Sequence, residues 1–129
     1  MTIAEFDDLF LQFVGRISDS LDPRRFEHPS LDLLQRGRAQ PAEWCNHPGI
    51  YSFIRAGEIV YIGRAAKDKL GKRIWDQVRP RPGTWHDLIK DPSTTVVLWA
   101  IEPIYWYWVA SLEIFLLHPT LPEYNKRSC

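Results

Sequence analysis

Gly49-Ile50-Tyr51 and Tyr61-Ile62-Gly63 constrain this chain more than any other feature. The two tripeptides place their tyrosines ten residues apart, each in an apolar run, with Arg55-Ala56-Gly57-Glu58 between them. Ile50 to Arg55 and Ile59 to Gly63 are rich in β-branched and aromatic residues, and Ala56-Gly57 suits a tight turn. The stretch therefore reads as a β-hairpin that presents two phenols.

The segments around the hairpin are predominantly helical in pattern. Ile3, Phe6, Leu9, Phe10, Phe13, Val14 and Ile17 recur at steps of three and four, which gives one apolar face to a helix over about residues 2–19. Thr2 with Glu5 three residues on reads as a capping box. Such a stripe packs on its own domain or, as the sharper alternative, binds a protein partner or a second copy of the chain. Asp22-Pro23 ends this helix, and Ser30 to Leu34 suggests one more short helix before a loop through Pro41 and Pro48. After the hairpin a helix is expected from Leu70 to Val78. Pro80, Pro82 and Gly83 then argue against regular structure, and Thr94 to Ile101 reads as a third strand. Ile104 to Leu117 is apolar almost all round, which predicts a buried helix. Residues 1–48 thus form an N-terminal helical extension and residues 49–129 the domain proper, in an α+β fold with a small three-stranded antiparallel sheet flanked by helices.

With 129 residues and 45% hydrophobic content, one core is expected. No uninterrupted apolar run approaches the roughly 20 residues that cross a bilayer, and Glu5, Asp7 and Asp8 are wrong for a secretory signal. A soluble, cytoplasmic protein with no membrane association is expected. Cys45 and Cys129 form neither a disulfide framework nor a metal-ligand spacing and read as free thiols. The formal charge is zero, yet residues 49–90 carry 9 basic against 4 acidic groups while the two flanks are net acidic. Positive charge is thus gathered on the hairpin and the segment after it, where phosphate would be handled. A solvated helix face is the alternative for Lys67, Lys69 and Lys72.

Glu113 interrupts the apolar helix, with Val109, Ala110, Leu116 and Leu117 one turn away. A buried carboxylate needs a cation, a donor or water. A salt bridge to an arginine would satisfy it, and so would Mg²⁺, a hard ion that accepts one or two carboxylates together with waters and phosphate. Phosphodiester cleavage requires a positioned nucleophile, charge neutralisation and help for the leaving group. Tyr51 and Tyr61 can orient or deprotonate water if cations lower their pKa, and Arg64 and Arg73 supply cations. His86 and His118 are spare titrating groups. Trp75, Trp85 and Tyr105-Trp106-Tyr107-Trp108 can stack on bases or fill the core. Asn125 follows Pro122, so the tail can fold back toward the site.

The ordered set of Gly49-Ile50-Tyr51, Tyr61-Ile62-Gly63, Arg73, Glu113 and the closing Pro122-Glu123-Tyr124-Asn125 resembles the GIY-YIG nuclease family over residues 49–125. Its end is similar to the nuclease domain of bacterial excision-repair incision proteins. The resemblance implies a DNA endonuclease using one divalent metal, Mg²⁺ or Mn²⁺. Tyr51 would act as general base and Tyr61 would support it. Arg73 would hold the scissile phosphate, Glu113 would bind the metal and Asn125 would shape the site. Arg64 falls where some members have a catalytic lysine. A catalytically silent nucleic-acid-binding or regulatory module of the same fold is the alternative reading.

Overall fold

The computed structural model describes residues 1–17, 21–117 and 122–128. His118 and Cys129 lie outside the described residues. The element order is α1 (Ile3–Ile17), β1 (Arg24–Pro29), α2 (Ser30–Arg36), β2 (Gly49–Arg55), β3 (Glu58–Ala65), α3 (Leu70–Val78), α4 (Thr84–Lys90), β4 (Thr95–Ala100) and α5 (Val109–Leu117), with short 3-10 segments at Pro103–Trp108 and Glu123–Ser128.

The expected hairpin is β2 and β3, paired with Tyr51 opposite Gly63 and Tyr61 opposite Phe53. Ala56 and Gly57 both adopt positive φ, 53° and 80°, as a primed two-residue turn requires. The sheet has four antiparallel strands in the order β1-β4-β2-β3, not three. The additional strand, Arg24–Pro29, pairs along its whole length with β4. Its sequence carries two arginines, a glutamate, a histidine and a proline, so it lacks the apolar alternation that marks a strand. The main-chain pairing with β4 decides its conformation.

The sheet separates two apolar layers. Phe6, Phe10 and Val14 of α1 pack with Ile50, Ile62, Val97 and Trp99 of the sheet and with Val109, Leu112 and Leu116 of α5 on one face. Leu33, Trp44, Leu70, Ile74 and Leu88 cover Tyr51, Phe53, Val96 and Leu98 on the other. The stripe of α1 thus lies against the sheet, with Leu11 left exposed. Thr2 caps α1 by accepting a hydrogen bond from the Glu5 backbone N–H at 3.2 Å. Leu70–Val78 is helical as expected.

Two expectations are corrected. Pro80, Pro82 and Gly83 are followed at once by α4, because the prolines end α3 without preventing a new helix from Thr84. Ile104 to Leu117 is not one buried helix. Pro103–Trp108 is 3-10 with a non-helical Tyr105, and only α5 continues as an α-helix. Ile104, Tyr107 and Ile114 are 73%, 54% and 66% exposed, since a helix lying on one face of a sheet buries only the side turned toward it. No helix among the described residues is long and apolar enough to cross a membrane.

Candidate active site

The site forms at β3, an outer strand of the sheet, where side chains from both faces meet. Tyr51 and Tyr61 project from the α3 side, with ring centroids 6.0 Å apart. Tyr51 is fully buried, and its ring lies directly against Gly63 on the neighbouring strand. A Cβ at Gly63 would overlap the Tyr51 ring, so the last glycine of the second tripeptide is a steric requirement of the first tripeptide's tyrosine. Gly49 obeys the same logic: a Cβ there would strike the carbonyl oxygen of Trp99 on β4. Both glycines are therefore explained by close approach across the sheet.

Tyr51's hydroxyl is buried and makes no hydrogen bond of good geometry among the described residues, and the Tyr61 hydroxyl is the group near enough to receive its proton. Burial pushes this phenol well above its usual pKa of 10, the Tyr61 phenol beside it adds to the rise, and Arg73 opposes it. Tyr61 is also raised by burial, against lowering effects from Tyr51 and Arg73. The expectation that nearby cations lower these phenols is thus corrected. Arg73 acts in that direction, but desolvation outweighs it. Gln40 Oε1 and Thr94 Oγ1 are likewise buried without a partner, so what distinguishes Tyr51 is its position beside Tyr61, Arg73 and Glu113.

Glu113 approaches from α5, on the other side of the sheet. Its carboxylate Oε1 accepts a hydrogen bond from Arg64 at 3.1 Å, with side chains 19% and 45% exposed respectively. The salt-bridge alternative for Glu113 is therefore realised, with Arg64 as partner. Burial nevertheless raises the Glu113 pKa above 4.5, with Arg64 and Arg73 pulling the other way. Arg73 thus lies close enough to act on Tyr51, Tyr61 and Glu113 alike. The position follows from α3, which buries Leu70, Ile74 and Val78 and leaves Arg73 on the flank of that face.

Asn125 is buried, and its amide makes two hydrogen bonds of 2.8 Å to one residue: Oδ1 accepts from the Ile62 N–H and Nδ2 donates to the Ile62 carbonyl. The side chain thus imitates a neighbouring strand on the outer edge of β3, between Tyr61 and Gly63. It holds the backbone that carries the site. Around it, Trp85 packs edge-on against Tyr61 at 5.1 Å and against Tyr124 at 5.5 Å, and Arg55 lies over the Tyr124 ring and pairs with Glu123 at 3.6 Å. These contacts dock the C-terminal segment beside β3.

Among the described residues no group of three His, Cys, Asp or Glu side chains is placed to hold a metal. One half-buried carboxylate with Arg64 and Arg73 near it fits an ion that keeps most of its water and shares substrate phosphate. Glu113 is the residue that would hold it. His86 stands on α4, within one residue of Trp85, which packs on Tyr61. Residue types alone conceal Arg38: from the acidic lead segment it joins a separate cleft beside α3, lined by none of the tyrosines, Arg64 or Glu113. No protein-family model matches the chain, and no curated protein or solved structure matches it, so the reading of the site rests on its own residues and geometry.

Proposed function

We propose that the protein is a divalent-metal-dependent DNA endonuclease with a GIY-YIG active site and GIY-YIG nuclease fold. The observation that carries this reading is the placement of Tyr51 against bare Gly63, which sends its unpartnered hydroxyl toward the β3 edge within the electrostatic reach of Arg73 and Glu113. Tyr51, fully buried, takes the proton of the attacking water through the partly exposed Tyr61 beside it. Because both phenols sit above their usual pKa, the base form is scarce at neutral pH and the rate is limited by it. Arg73 neutralises charge on the phosphoryl oxygens, and Arg64, being substantially exposed, can exchange Glu113 for the substrate phosphate. Mg²⁺ or Mn²⁺, when bound at Glu113, supplies Lewis-acid neutralisation of the developing phosphoryl and leaving-group charge. Asn125 keeps Tyr61 and Gly63 in register.

A second reading is favoured by the Arg64–Glu113 pair itself: a catalytically silent nucleic-acid-binding or regulatory module in which that pair is structural. The deciding experiment incubates supercoiled plasmid and branched oligonucleotides with Mg²⁺, Mn²⁺ or EDTA, using wild type and Glu113→Gln. Metal-dependent nicking that falls by roughly 10²–10³-fold in the variant is expected. DNA binding without nicking of any substrate would replace the nuclease reading with the silent one.

A further inference from the structure

A concavity of about 480 Å³ lies between α3 and the loop after α2, and neither Tyr51 nor Tyr61 lines it. Arg38, Lys69, Lys72 and Arg79 line it together with Trp75, and Asp76 is its one acidic group. None of the four cations forms an ion pair with another described residue, whereas Arg25, Arg36, Arg55 and Arg64 all do. Like charges gathered in a concave wall repel one another and focus a positive potential, an arrangement that an anion relieves. The cluster is also assembled from a distance: Arg38 comes from a net-acidic stretch of sequence to join three cations of a net-basic one.

The geometry points to a nucleic-acid strand as the occupant, with its backbone phosphates on these four cations and a base or sugar against Trp75. Lys69 at the N-cap of α3, Lys72 and Asp76 within it and Arg79 at its C-cap follow one another at steps of three and four, and Arg73 stands one turn from Lys69. From Lys69 to Arg79 the helix rises about 15 Å, at 1.5 Å per residue. That equals about four steps of a strand at 3.4 Å each. A strand whose scissile phosphate lies at Arg73 would continue over α3 into this cleft. The assignment of its direction rests on the proposed nuclease reading; the cleft's affinity for a strand does not. Lys67, held 5.1 Å over the Trp106 ring in an adjoining hollow that shares Lys69, extends the same positive wall.

The test measures binding of a fluorescein-labelled 20-mer, single-stranded and duplex, by anisotropy across a salt series in EDTA. Wild type is compared with Lys72→Ala/Arg79→Ala and with Lys90→Ala, an exposed control on α4 outside the cleft. Both cleft residues are exposed, so melting curves should show the double variant folded. The expected result is a binding loss of tenfold or more in the double variant at low salt. The slope of log K against log salt should fall by about 1.8 for duplex and about 1.4 for single strands, two phosphate contacts' worth. The control should match wild type. An unchanged slope in the double variant overturns the inference, and so does AMP binding wild type as tightly as the oligomer, which would assign the cleft to a free nucleotide. Because binding is read without metal, a wild type that shows the expected slope yet never nicks DNA overturns the nuclease reading alone. Nicking by a double variant whose slope is unchanged overturns the cleft alone.

Discussion

At the β1 edge of the sheet the polar groups are matched one to another. Asp7 of α1 accepts hydrogen bonds from Trp99 Nε1 at 2.9 Å and from Arg25 Nε at 3.1 Å, Arg25 also meets Glu27, and Phe10 stacks on Trp99 with ring centroids 4.5 Å apart. At the β3 edge, by contrast, the Tyr51 hydroxyl is buried without a partner and Glu113 is held at a raised pKa. The edge itself is covered by one amide, Asn125 on Ile62. Both regions belong to the same sheet and are similarly apolar underneath. Thr94 Oγ1, near the end of the β1–β4 ladder, is also buried without a partner, so the difference lies in the company: only at the β3 edge does such a hydroxyl stand with a second phenol, Arg73 and a carboxylate of raised pKa.

That contrast can be broken most decisively by pH. With Tyr51 raised well above 10, its base form multiplies by ten with each unit of pH below that value. The proposed reading therefore expects the nicking rate to rise about tenfold per unit between about pH 6 and 9. A further fall on the acid side follows as Glu113 protonates near its raised pKa. A flat profile, measured with plasmid at constant ionic strength, would remove the phenol from the proton-transfer step.

Asn125→Ala leaves the N–H and carbonyl of Ile62 without their partners, and urea unfolding should register a loss of about 2–4 kcal/mol together with lost nicking. Gly63→Ala forces a methyl into the Tyr51 ring and should destabilise by about 1–3 kcal/mol in the same assay. Tyr51→Phe separates stability from function most cleanly. Removing the unpartnered hydroxyl should stabilise the fold by about 1 kcal/mol while nicking falls by roughly 10²-fold or more. A destabilised Tyr51→Phe protein would mean that the hydroxyl is satisfied after all, and the contrast between the edges would lapse. At the other edge, Arg25→Ala breaks a surface pair and should cost less than about 1 kcal/mol with nicking unchanged.

Much of the hairpin was legible in the residues. The two tripeptides and Ala56-Gly57 specify strands, turn and register through local backbone preferences, and the structure pairs them accordingly. Glu113 was legible as an anomaly, because a carboxylate on an apolar helix must meet something, and Arg64 is what it meets. The direction of the tyrosine pKa shifts was not legible. It depends on whether desolvation or Arg73 dominates, and burial is a property of the assembled fold. Nor was the fourth strand, since the ladder to β4 holds Arg24–Pro29 extended without help from its side chains.

The sequence by itself determined the elements with strong short-range signals: the capped N-terminal helix, the hairpin, and the Leu70–Val78 helix with Arg73 beside its apolar face. Propensity and periodicity act over a few residues and need no distant partner. Tertiary structure alone decided that Tyr51 would rest against Gly63, that Asn125 would clasp Ile62 across sixty-three positions, and that Arg38 would join the α3 cations. Each of these depends on segments far apart in the chain being brought together by burial of the two apolar layers, and that convergence is a property of the whole packed core.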